Sequence, residues 1–221
     1  MVDFSVLFAN LLLVIGGLIP IANPFSTAPL FLALTSSFGA EESARTAKLC
    51  TIYMFILLTS FLFVGVFLLS FFGVSLPSLR VAGGLIIAYI GFRMLFPPAV
   101  AAAAEALSPG KPEDVSFTPL AMPMLSGPGS ISVVIAMASE IGEVESVMHR
   151  FWGYGLVTLG IGISAFICWL VLRASDKVVK FMGATGIDAL TKVMGFFLIC
   201  IGVEFVANGI DGFLLQAVSS T

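Results

Sequence analysis

The chain has 221 residues, of which 59% are hydrophobic and only 10% charged, with a mean hydropathy of +1.11. Soluble domains carry roughly 25% charged residues, and a soluble fold of this length could not hide so much apolar surface from water. A net charge of −3 resting on few groups argues against a nucleic-acid partner, which leaves a protein of the lipid bilayer.

In chain order, the first uncharged run covers residues 4–40. The opening MVDFSVLF lacks the basic region of a cleavable signal and is expected to be retained. As a straight helix the run would extend about 55 Å, against a hydrocarbon core of about 30 Å, so it must break or fold back. The break is written at Pro20, Asn23 and Pro24, because proline removes a backbone donor and pushes the preceding residue out of helical geometry. Ser26, Thr27 and Pro29 follow it.

Further runs cover 49–72, 81–96, 115–139, 151–172 and 193–210, with Arg93 in the third run and Glu204 in the last. The intervening stretches 41–48, 73–80, 97–114, 140–150 and 173–192 hold the other charges except Asp3 and Asp211, with many turn residues, and read as connections; His149 falls in one of them. If the N-terminus is outside, Arg45, Lys48, Arg93, Lys111, Arg173, Lys177, Lys180 and Lys192 fall inside, leaving Arg80 and Arg150 outside. The positive-inside rule thus predicts both termini outside.

The fourth run repeats the punctuation of the first. Pro119 and Pro123 precede Ser126, Gly127, Pro128, Gly129, Ser130 and Ser132, and aligning Pro24 with Pro128 also aligns Ser26 with Ser130 and Thr35 with Ser139. In the third and sixth runs, RVAG at 80–83 corresponds to KVMG at 192–195; a slip of one residue matches Gly91 with Gly202. The reading is therefore an all-α polytopic membrane protein of about six spans in one integral membrane domain, with two inverted three-helix repeats (1–97 and 116–221) joined by a linker at 98–115. The first helix of each repeat is broken or re-entrant.

Broken helices expose backbone amides and carbonyls at membrane depth, which is tolerated only inside protein or beside a watery cavity. Free N–H groups suit a carboxylate and exposed carbonyls an ammonium, so a zwitterionic amino acid matches both. The expected substrate-binding set is Asn23, Pro24, Ser26, Thr27, Gly127, Pro128, Gly129, Ser130 and Ser132, with Glu204 and Arg93 in coupling or gating roles. Alternatively, the prolines and glycines are packing kinks, Arg93 snorkels to the interface and Glu204 is an interfacial carboxylate. Cysteines 50, 168 and 200 are widely spaced, H-E-x-x-H is missing, and no span holds an aspartate pair. No metal, cofactor or enzymatic activity is expected.

At these residues the sequence resembles the MarC family, also described as small neutral amino-acid transporters of the SnatA type. The resemblance covers nearly the whole chain and rests on LIPIANP at 18–24, PLFL at 29–32, LRVAGG at 79–84, IGFRMLF at 90–96, PLAMP at 119–123 and GPG at 127–129. It implies a bacterial inner-membrane protein related to the broader LysE-type transporter group. It further implies movement of alanine- or glycine-like solutes, with proton coupling as one option and homo-oligomerisation left open. A non-transporting scaffold or regulatory membrane protein is the alternative.

Overall fold

In lipid, only a helix satisfies every backbone group within its own segment. The computed structural model describes residues 4–97, 116–142 and 144–219, and their regular structure is helical throughout. The expected linker 98–115 lies outside the described residues. The helices are α1 (Phe4–Ala22), α2 (Pro24–Leu34), α3 (Ala40–Phe71), α4 (Leu76–Leu95), α5 (Pro128–Gly142), α6 (Val147–Arg173) and α7 (Ser175–Ser219), with a wide-wound segment, Ser116–Leu125, ahead of α5.

α3, α4, α6 and α7 are each long and apolar enough to cross a bilayer, and α1 with α2, bent by 42°, makes a fifth candidate span. The 15-residue α5 is apolar but rises only about 22 Å, short of a core about 30 Å thick. Among the described residues the count is four or five candidate spans, where the sequence led to an expectation of six. The 115–139 run is shared between the Ser116–Leu125 segment and α5. Inside that segment Thr118 (φ −123°, ψ 122°) and Met122 (φ −128°, ψ 122°) are extended. Each stands immediately before a proline, whose ring clashes with a helical predecessor.

Several stretches read as connections are helical. Glu41 to Lys48 form the opening turns of α3, where the Glu42 carboxylate accepts the Gly39 N–H at 3.4 Å. Arg80 lies inside α4, which starts earlier than expected because the Ser75 hydroxyl accepts the Ser78 N–H at 3.3 Å and Pro77 suits the first turn. His149 and Arg150 belong to the first turn of α6 rather than to a loop. The 173–192 stretch is helical apart from the C-cap Ala174 and Gly183, whose φ of 64° and ψ of 175° only glycine adopts freely. Glu, Lys and Arg are strong helix formers, so charge marks where water begins, not where a helix ends.

The most extensive packing is between α4 and α7. A methyl built on Gly84 would lie 2.5 Å from the Gly202 carbonyl oxygen, and one on Gly202 would lie 2.5 Å from the Gly84 carbonyl oxygen. Gly91 and Gly195 repeat this reciprocal approach one step along, at 2.5 and 2.8 Å. Numbers rise along α4 as they fall along α7, so the helices are antiparallel. Backbone contact this close is how membrane helices gain van der Waals attraction where lipid supplies no hydrophobic drive. The other main contacts largely pair off: α4 packs on α5 and α7 on α2, while α3 packs on the Ser116–Leu125 segment and α6 on α1.

Candidate functional site

The first break is a single residue wide. Asn23 has φ 34° and ψ 68°, the only left-handed non-glycine among the described residues. Asparagine tolerates that conformation better than other side chains. Its carbonyl oxygen Oδ1 accepts the Ser26 N–H at 3.3 Å, capping α2, and Pro24 occupies the first helical position, where a missing N–H costs nothing. The Asn23 amide Nδ2 points at Met94 Sδ of α4, 3.8 Å away. Pro20 sits inside α1 without ending it.

The hydroxyls after the break turn to the chain itself. Thr27 Oγ1 and Ser26 Oγ donate to the Asn23 carbonyl at 3.1 and 3.3 Å. At the second break, Ser126 Oγ donates to Ala121 O at 2.9 Å, Ser130 Oγ to Leu125 O at 3.4 Å, and Ser132 Oγ to Pro128 O at 2.9 Å. Such back-bonding satisfies carbonyls that the interrupted ladder leaves over, and the hydroxyl oxygens keep lone pairs for a further donor.

The two breaks meet. A methyl on Gly129 would lie 2.9 Å from Ile87 of α4 and 3.4 Å from Ile21, two residues before Asn23. A methyl on Gly83 would lie 2.5 Å from the Ser132 side chain. Asn23, Pro24, Thr27, Gly127, Gly129, Ser130 and Ser132 are buried, Ser26 is half-buried and Pro128 is exposed. With Asn23 at 4% and Ser130 at 1% exposure, the region is closed in this conformation.

Glu204 and Arg93 make their interactions elsewhere. Both are exposed; Glu204 accepts from Asn208 Nδ2 at 3.4 Å, and Arg93 lies 6.0 Å over the Tyr89 ring. An ion pair that the sequence reading did not identify joins α4 to α5: Arg80 Nη2 stands 2.9 Å from Glu140 Oε1. Each residue lies at the edge of a charged boundary stretch, and no periodicity links positions so far apart in sequence. Two cavities adjoin this pair at the end of α5 away from the break. One, of about 210 Å³, is lined by Arg80, Ala136, Glu140, Phe205 and Asn208; the other, of about 420 Å³, has Asn10, Glu140, His149 and Trp152 in its wall.

Comparison with known proteins agrees with the architecture. The profile of the MarC family of integral membrane proteins matches residues 8–214. Inner membrane protein MarC from Escherichia coli strain K12 is 37% identical over 201 residues, spanning 87% of this chain and 90% of that protein; inner membrane protein MarC from Shigella flexneri matches to the same extent. No solved structure matches.

Proposed function

The chain belongs to the MarC family of integral membrane proteins, and from that premise we propose that it is an inner-membrane secondary transporter of a small neutral amino acid. Its two halves work as an inverted repeat. The observation that carries this reading is the meeting of two matched helix breaks at the buried centre, Ile21 against Gly129. Internal symmetry supports it as well. Gly84 and Gly91 occupy in α4 the places that Gly195 and Gly202 occupy in α7, and exchanging the halves turns the Gly84–Gly202 contact into Gly195–Gly91. A two-fold relation of that kind, with halves of opposite orientation, is the usual frame of alternating access.

In the proposed cycle the solute carboxylate takes backbone N–H groups at the α2 and α5 N-termini, and its ammonium takes carbonyls left over at the breaks. Asn23, Ser26, Thr27, Ser130 and Ser132 exchange back-bonds for solute contacts, with Gly127 and Gly129 allowing close approach beside Pro24 and Pro128. Glu204 and Arg93 act at a distance, in coupling or gating, and a proton gradient is one driving force. Both termini face the periplasm, with the Ser116–Leu125 segment and α5 together taken as a sixth, broken crossing. The second reading, a non-transporting scaffold, draws support from the close packing around the breaks.

Reconstitution into liposomes with labelled amino acids, with and without a pH gradient, separates the two. Counterflow or uptake of alanine or glycine is the expected result. Correctly oriented protein that moves no solute in the panel would overturn the transport reading.

A further inference from the structure

The Arg80–Glu140 pair is placed oddly for a packing contact. Arg80 belongs to the first half and Glu140 to the second, and their side chains are 22% and 64% exposed, so the pair is partly withdrawn from water yet open on one side. Beside them the small cavity has Asn208 on its exposed wall and Ala136 and Phe205 as its apolar lining. The repeat makes the pair stand out further. In the register that aligns Pro24 with Pro128 the counterpart of Glu140 is Ser36, and in the register that aligns RVAG with KVMG that of Arg80 is Lys192. Ser36 Oγ donates to Ala33 O at 2.9 Å, while Lys192 pairs with Asp188 of its own helix at 2.7 Å. At these two counterpart positions the bridging pair is not repeated.

We propose that this cavity is a binding subsite for the charged ends of an α-amino acid, with the Arg80 guanidinium taking the carboxylate and Glu140 the ammonium. When empty, the subsite is closed by the mutual ion pair of the two residues. A guanidinium fork matches a carboxylate in plane and in hydrogen-bond count, and a carboxylate is the natural acceptor for an ammonium. The existing pair sets the selectivity. A zwitterion replaces one ion pair by two and leaves no charge unmatched. A simple carboxylate or amine of the same size satisfies one partner only and forfeits the second charge-assisted contact. The cavity, about 210 Å³, suits a small side chain, and its lining offers only Ala136 and Phe205 to hold one. The choice of ligand rests on the transport reading, under which this end faces the periplasm; the charge complementarity does not.

The test uses the full chain with Asn208→Cys as a reporter and Cys200→Ser to remove the exposed native thiol, since Cys50 and Cys168 are buried. Labelling by a membrane-impermeant maleimide is followed in right-side-out vesicles with L-alanine, propionate or ethylamine. L-alanine is expected to slow labelling while propionate and ethylamine do not. Arg80→Gln and Glu140→Gln are each expected to raise the half-protecting alanine concentration by about tenfold, the loss of one charge-assisted partner. An unchanged size-exclusion elution volume and thermal midpoint in detergent show that the variants are folded. Protection that ignores both substitutions, or propionate protecting as well as alanine, overturns the subsite. Liposome flux of alanine without any protection overturns the subsite and leaves the transport reading standing; protection without flux does the reverse.

Discussion

Asn23 was marked out by its sequence neighbours, since a residue before Pro24 is disfavoured in helical geometry and asparagine is suited to both a left-handed backbone and an N-cap. Both properties are used at once. They can be separated by substitution. Asn23→Gly keeps the backbone freedom and loses only the cap, whereas Asn23→Ala loses both. Asn23→Ala is expected to destabilise the protein by about 1–2 kcal/mol and Asn23→Gly by a few tenths. Thermal midpoints in detergent check the order; equal damage from the two would mean that the left-handed conformation is not a significant constraint. The hydroxyls of Ser26, Thr27, Ser130 and Ser132 were legible as residues near a break, but not their partners. A hydroxyl on a helix chooses between its own carbonyls and a distant group, and that choice depends on what packs above it.

At the scale of elements, the glycines of α4 and α7 make the closest approach to backbone atoms among the described glycines, and those atoms cannot be moved by a rotamer change. Gly84→Ala and Gly202→Ala should each cost at least about 1–3 kcal/mol, the usual range for overpacking. Gly16→Ala, where nothing lies within 4 Å, should be neutral or slightly stabilising because alanine is the better helix former. Folded yield and thermal midpoint measure all three; a tolerated Gly84→Ala would show that α4 and α7 sit further apart. The sequence matched Gly91 with Gly202 as equivalent positions of the two repeats without showing which glycine each would face. Helix ends were the least legible feature, as the helical turns formed by Glu41, Glu42, Arg45 and Lys48 show. Polarity reports the water boundary, and these helices run past it.

For the molecule as a whole, the basic residues predict a definite orientation. Single cysteines at Ser75 and Ser146, in the turns before α4 and α6, should react with an impermeant reagent from the periplasmic side. Cysteines replacing Ser36 or Asp176 should react only after the membrane is opened. Labelling of both sets from one side would rule out the orientation in which the termini are periplasmic.

Membrane residence, the two proline-marked breaks and the small-residue faces of α4 and α7 were decided by the sequence alone. Each follows from local chemistry: uncharged length, the missing proline N–H, the absent glycine Cβ. Tertiary structure alone decided that Ile21 lies against Gly129, that the hydroxyls bond back to their own helices, and that Arg80 finds Glu140 across the halves. Those facts depend on how helices distant in sequence cross and rotate, a balance of packing between whole faces that no single stretch of residues contains.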